Sequence, residues 1–173
     1  TVDDASGGLG SYLVAGIYPA GELFKYLTVD EHGRQVVEFK DKEGKVLLKK
    51  VQLGVTAGVA DDGSGRPCNV NWLCTYYIYD DLSRLRCVIQ PEGVKWLYGH
   101  NWTFTSADYN VGQIVSEQCF RYVYDDLNRM VVKKVPGAGE VWMVYDMRDR
   151  LVLVQDANLR NQGKWMYTTY DNT

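Results

Sequence analysis

Apolar and aromatic residues recur in short bursts that alternate with polar residues, each burst bounded by aspartate, glycine or asparagine. Segments 74–79, 119–124, 141–145 and 165–170 each run into an aspartate, and segments 84–89, 129–135 and 150–155 each leave a basic residue a few positions later. Aromatic and β-branched bursts of this length predict strands joined by tight turns. In the outgoing segments the first and third residues after the basic position are Leu85/Cys87, Met130/Val132, Leu151/Leu153 and Val46/Leu48, with Gln35/Val37 a weaker case. A two-residue period puts each pair on one side of its strand, which predicts a sheet with one firmly buried face. The second and fourth positions (Arg86/Val88, Val131/Lys133, Val152/Val154, Leu47/Lys49) are mixed, so the opposite face is expected to be less consistently covered.

The turns between these strands repeat. Tyr79-Asp80-Asp81-Leu82-Ser83-Arg84, Tyr124-Asp125-Asp126-Leu127-Asn128-Arg129 and Tyr145-Asp146-Met147-Arg148-Asp149-Arg150 are close copies, and the sequence reaches a further Tyr170-Asp171. Looser copies begin at Asp30 and Asp41, with Gly33-Arg34 and Gly44-Lys45 in the closing positions. Aspartate suits the first position of such a turn because its carboxylate accepts backbone N–H groups. Gly, Asn or Asp three residues later tolerates the left-handed conformation that closes a hairpin. Each copy therefore predicts a hairpin tip, with positive φ at Gly33, Gly44, Asn128 and Asp149. Ser83 adopts that conformation less readily, and a different turn is expected there. Pairing of Asp with Arg across an exposed tip would add only about 0–1 kcal/mol.

Two stretches depart from the pattern. Residues 91–118 lack a tip, and Pro91, Val94, Leu97 and Tyr98 followed by Val111, Ile114 and Val115 fall at helical spacing, with Thr105 or Ser106 placed to cap the second segment. A helical excursion packed on the sheet through Val94, Leu97, Ile114 or Val115 is expected. Residues 52–71, rich in Gly and Asp, predict a long exposed loop. The architecture expected is mainly β: antiparallel hairpin repeats in a curved or spiral sheet, interrupted near 91–118.

The 173 residues suffice for a core without metal or disulfide staples. The 19 basic and 22 acidic side chains give a net charge of −3 without a basic block, which argues against nucleic acid. Segment 12–18, the longest uncharged apolar stretch near the start, is too short to span a membrane. The four cysteines, Cys68, Cys74, Cys87 and Cys119, include no CxxC pair and sit in apolar surroundings. They read as buried thiols, with a Cys68–Cys74 disulfide as the alternative in an exported protein.

Candidate chemistry is sparse. The two histidines are His32, inside a tip, and His100, so no nucleophilic triad is expected. The Asp80/Asp81 and Asp125/Asp126 pairs are accounted for by turn formation. Asp61-Asp62-Gly63-Ser64-Gly65 lacks the alternating oxygens of a calcium loop, and Gly8-Leu9-Gly10 lacks the third glycine of a dinucleotide site. No catalytic group, cofactor or metal is expected. Trp96, Trp102, Trp142 and Trp165 could stack on sugar rings, with core packing the stronger expectation for most of them.

The Tyr-Asp-x-x-x-Arg element, its recurrence, and the segment Val131-Val132-Lys133-Lys134-Val135-Pro136-Gly137-Ala138-Gly139 resemble the tyrosine-aspartate (YD, or RHS) repeat proteins, particularly the large ones of Bacteroidetes, over roughly residues 23–171. The resemblance implies a non-enzymatic scaffold of a large secreted or surface-exposed bacterial protein, whose strands wind into a spiral sheet able to enclose a C-terminal toxin or effector segment. Toxin-complex subunits and teneurins are relatives in that family. It further implies flanking repeats of the same polypeptide as partners, open sheet edges where those repeats are missing, and a motif carried by Tyr79, Asp80, Arg84, Tyr124, Asp125, Arg129, Tyr145, Asp146 and Arg150. A carbohydrate- or protein-binding module using the exposed aromatics is the alternative, since carbohydrate binding is associated with the family. No segment matches the family's self-cleaving aspartyl core.

Overall fold

A computed structural model describes residues 1–4, 8–54, 71–104 and 109–171, apart from the side chains of 109–111. Most of the expected loop at 52–71, with Cys68 and the Asp61–Gly65 stretch, lies outside the described residues, as do Thr105, Ser106 and the Val111 side chain.

The protein is mainly β. A two-stranded hairpin, β1 (Val2–Asp3) and β2 (Ser11–Tyr12), precedes a ten-stranded sheet. That sheet runs in chain order from β3 (Phe24–Val29), β4 (Gln35–Lys40), β5 (Val46–Gln52), β6 (Trp72–Tyr79) and β7 (Leu85–Ile89). It continues through β8 (Cys119–Tyr124), β9 (Met130–Lys134), β10 (Glu140–Tyr145), β11 (Leu151–Gln155) and β12 (Met166–Tyr167). Every strand pairs antiparallel with its sequence neighbour, so the sheet is an uninterrupted meander. Among the described residues neither edge strand has an outer partner: β3 is exposed at all six positions, and β12 has two paired residues. The last strand, two residues long, is shorter than the expected 165–170, and α3 (Ala157–Asn161), capped by Asp156 through the Leu159 N–H at 2.8 Å, joins it to β11.

The excursion is helical, as its spacing predicts: α1 (Pro91–Gly99) and α2 (Tyr109–Glu117) join β7 to β8. Pro91 starts α1 where its missing N–H costs nothing. Val94 and Leu97 are 1% and 0% exposed, whereas Ile114 and Val115 are half-buried. Gly93 is required by the close approach of α1 to the sheet, since a Cβ there would stand 2.9 Å from Gln118 Cβ and 3.1 Å from Ile89 Cγ2.

Strand register explains the core. Phe39, Leu48, Tyr76, Ile89 and Cys119 form one cross-strand row, and Val37, Lys50 and Cys74 another on the same face. With Trp72, Cys87, Val94 and Leu97 they make the core, while the Lys50 ammonium sits 5.6 Å from the Trp72 ring centre. The mixed character of the second position after the basic residue has a structural cause. In the hairpins of tips 41, 80, 125 and 146 the register slips by one residue, which makes Leu47, Arg86, Val131 and Val152 the extra residues of β-bulges. A bulge breaks simple alternation and re-aims its side chain. Arg86, expected on the poorly covered face, is consequently 2% exposed.

Candidate functional site

The repeated tips are the chemically distinctive feature. At Asp30, Asp41, Asp80, Asp125 and Asp146 the backbone N–H donates to the carbonyl four residues on, at 2.9–3.0 Å, and the carbonyl accepts the N–H three residues on, at 2.9–3.1 Å. Oδ1 accepts two further N–H groups in every tip, such as those of Leu82 (3.1 Å) and Arg84 (2.9 Å) on Asp80. Gly33, Gly44, Asn128 and Asp149 have φ of 77°, 85°, 63° and 58°. Ser83, at 63°, adopts the same conformation, so the different turn expected there does not form. Its hydroxyl accepts a bond from Lys45 Nζ at 2.9 Å, one contact that holds this residue type in place.

The second carboxylate oxygen binds the basic residue. Asp80, Asp125 and Asp146 Oδ2 accept from Arg84, Arg129 and Arg150 Nε at 2.8, 2.7 and 2.8 Å, and Asp41 Oδ2 lies 3.3 Å from Lys45 Nζ. These pairs are less exposed than expected, Asp80 and Arg84 having 9% and 16% side-chain exposure, so removing one partner strands the other in a less solvated place.

The basic residue also reaches the next tip. Arg84 stacks over the Tyr124 ring at 5.4 Å and donates to the Asp125 carbonyl at 3.3 Å. Arg129 stacks over Tyr145 at 5.2 Å and donates to the Asp146 carbonyl at 3.2 Å. Arg150 covers Tyr170 at 4.7 Å, and Lys45 lies 5.7 Å from the Tyr79 ring centre. The tyrosines answer: Tyr145 and Tyr170 hydroxyls donate at 2.9 Å to the carbonyls of Met130 and Leu151, each the residue after the stacking arginine. One motif thus closes its own turn and clamps its neighbour, forming rungs along the tip side of the sheet.

A second cluster ties the β1–β2 hairpin to the sheet. Arg86 donates from both terminal nitrogens to Asp4 at 2.8 and 2.6 Å and from Nε to the Tyr122 carbonyl at 2.9 Å, and its Nη1 lies 3.5 Å from Asp80. Arg121 donates to Gly10 O at 2.6 Å and to the Tyr12 hydroxyl at 3.1 Å, with its guanidinium over the Tyr12 ring. Tyr12 is 3% exposed, and burial pushes its phenol well above the ordinary range.

Comparison with solved structures places this geometry. The same fold recurs in Tc toxin structures. The crystal structure of TcdB2-TccC3-TEV superposes with a TM-score of 0.51 at 17% identity over 72% of this chain. The Photorhabdus luminescens Tc holotoxin pore with a mutated TccC3 superposes with a TM-score of 0.51 at 16% identity over 75%. This chain corresponds to 5% of the length of each of those chains. No family model matches the sequence, and no curated protein does.

Trp96, Trp102, Trp142 and Trp165 are dispersed. Trp96 stacks on His100 at 3.8 Å, and Trp102 meets Tyr76 edge-on at 4.9 Å, both packed against the core. Trp142 has Arg160 over one face at 4.4 Å and donates to Glu140 at 2.8 Å, while Trp165 is 39% exposed. His32 is exposed in its tip. Among the described residues no group of three metal-ligating side chains occurs, and no helix is long and apolar enough to cross a membrane.

The tips predict an acid limit. Backbone hydrogen bonds from Arg129 and Arg150, reinforced by their guanidinium groups, hold Asp125 and Asp146 below the usual carboxylate range. At Asp41 and Asp80, burial pushes upward, but the backbone and side-chain contacts of Lys45 and Arg84 together outweigh it. A carboxylate depressed in the folded state contributes stability above its unfolded pKa and loses it as pH falls through the folded value. The melting temperature is expected to be flat from pH 7 to about 5 and to fall steeply below about pH 4.

Proposed function

We propose that this chain is a structural wall segment of a large secreted or surface-exposed bacterial repeat protein, a non-enzymatic scaffold whose sheet helps enclose a C-terminal toxin or effector segment. The observation that carries this reading is the rung. Arg84, Arg129 and Arg150 each bind their own aspartate with Nε and lie over the tyrosine of the following Tyr-Asp, so these units join head to tail by a rule that sets no limit on their number. The open edges support extension in both directions: β3 presents Phe24, Tyr26, Leu27 and Val29, each more than half exposed, and β12 ends the sheet after two pairs. Exposed apolar edge strands invite pairing with further strands. Flanking repeats of the same polypeptide are the partners that match this geometry.

The Tyr-Asp-x-x-x-Arg resemblance and the Tc-type fold point the same way, since toxin-complex subunits are among the relatives of the repeat family. The tip carboxylates favour scaffold over catalysis, because at Asp41, Asp80, Asp125 and Asp146 both oxygens are engaged within the tip.

Electron cryo-microscopy of the native polypeptide purified from its source tests this assignment. The expected image shows further hairpin units stacked on β3 and β12 in one continuous wall. Solvent-facing β3 and β12 edges in an isolated domain of this size would overturn it.

A further inference from the structure

The β1–β2 hairpin and the ten-stranded sheet share no backbone ladder. They are separate sheets, and among the described residues no backbone-to-backbone hydrogen bond runs between them. Each described hydrogen bond across the contact uses the side chain of Arg86, Arg121 or Tyr12. The covalent connection is equally loose: residues 13–21 are all exposed, and no helix or strand lies between Tyr12 and Phe24. The hairpin is nevertheless fitted to what lies beneath it. Gly10, at φ 72°, leaves room for the Asp4 carboxylate, since a Cβ there would stand 2.8 Å from Asp4 Oδ1 and 3.5 Å from Arg86 Nη2. Tyr12 is the buried anchor, meeting Phe104 edge-on at 5.8 Å, and its hydroxyl donates to the Arg86 carbonyl at 3.4 Å. Arg121 makes both of its side-chain hydrogen bonds to the hairpin and has no carboxylate partner among the described residues.

We propose that the face of β7 and β8 carrying Arg86 and Arg121 is a binding site for a carboxylate-bearing hairpin, filled in cis by residues 1–13, and that this hairpin leaves and returns while the ten-stranded sheet stays folded. The segment recognised offers an aspartate to Arg86, a main-chain carbonyl to Arg121 and a tyrosine to the socket beside Phe104. Bidentate pairing with a guanidinium gives the site its preference for a carboxylate. Undocking leaves the ladder of the sheet intact, and Arg86 keeps Asp80 and the Tyr122 carbonyl. A flexible tether supplies an effective concentration on the order of 1 mM, so a site with a dissociation constant of about 10 μM stays filled about 99% of the time. A free peptide therefore competes poorly against the intact chain, and the tether has to be cut before the site is open to one.

None of this depends on the scaffold role. The full chain is cut at a protease site inserted between exposed Gly16 and Ile17, and the hairpin is then removed by dilution and gel filtration. The remaining sheet is expected to keep its far-ultraviolet circular dichroism and cooperative melting, and to bind a fluorescein-labelled peptide of residues 1–16 saturably with a dissociation constant of about 10 μM. The Asp4→Asn peptide should bind about three- to tenfold more weakly, and the Tyr12→Ala peptide about a hundredfold or more. In the uncut chain, amide hydrogens of β1 and β2 should exchange well before those of β6 to β9, because opening the hairpin does not require opening the sheet. Unfolding or aggregation of the sheet on release, equal affinity of the Asp4→Asn and parent peptides, or exchange of β1–β2 in step with β6–β9 would overturn the proposal.

Discussion

Replacing Arg86 with alanine is expected to destabilise the protein by about 3 kcal/mol, one of the two largest effects anticipated for a single surface-to-core contact in this fold. The guanidinium is 3% exposed and makes the bonds to Asp4, Asp80 and the Tyr122 carbonyl. Its removal leaves the Tyr122 carbonyl without that donor and takes a counter-charge from Asp80, while the β1–β2 hairpin loses its bidentate anchor. In a protein of this length the loss corresponds to a fall of about 6–12 °C in melting temperature. Asp4→Asn removes only the exposed half of the pair, and a fall of no more than about 3 °C is expected. Equal losses for the two substitutions would show that Arg86 acts solely through the hairpin.

The second large effect is a ranking. Aspartate-to-alanine substitution at the five tips removes the same two backbone acceptor contacts, yet the outcomes should differ because the second oxygen is used differently. Asp80, with 9% side-chain exposure and contacts to both Arg84 and Arg86, is expected to cost about 3–4 kcal/mol. Asp125 and Asp146, each 24% exposed and each bound by its own arginine, should cost less than Asp80 and more than Asp30. Exposed Asp30 should cost about 1 kcal/mol, the value of a lost turn cap alone. Denaturant titration of the five variants checks the order. Uniform losses would mean that the carboxylates act only within their turns and that the arginine rungs add nothing.

Several features of this fold were legible in the sequence for identifiable reasons. Asp-x-x-turn-Arg is a local signal, because the bonds that form a tip lie within five consecutive residues, and all five tips form where that spacing puts them. The buried face followed from Val37, Leu48 and Cys87, whereas Val46, Leu85, Met130, Val132, Leu151 and Leu153, expected on the same face, are only half-buried. The excursion followed from Val94 and Leu97 at helical spacing. What escaped was non-local or broke the period. Arg86 reads as a solvent-facing residue until the bulge re-aims it, and nothing near it in sequence indicates Asp4 as its partner. The β1–β2 hairpin has two residues per strand, too few for any alternation. α3 carried a capping aspartate but only five residues, and the strand expected at 165–170 forms only at Met166–Tyr167. The rungs were present in outline: Tyr and Arg recur at fixed positions, but that each arginine serves the following tyrosine emerges only when successive hairpins are laid side by side.

The central claim is that successive Tyr-Asp-x-x-x-Arg units are interchangeable rungs of one array. It is tested most directly by inserting a second copy of residues 124–144 between Val144 and Tyr145 and measuring thermal unfolding. The copy brings its own tip, its own arginine and a tyrosine for Arg129 to clamp, so the new junction repeats the clamp of the motif while pairing strands that are not hairpin partners in the parent. Arrays held by nearest-neighbour interfaces gain stability, or keep it, when an internal unit is duplicated. The enlarged protein is expected to remain monomeric, to unfold in one cooperative transition and to melt at or a few degrees above the parent. An insertion product that is unfolded, aggregated or lower-melting by more than about 5 °C would contradict the account, because it would show that each hairpin is fitted to its own place in a closed domain.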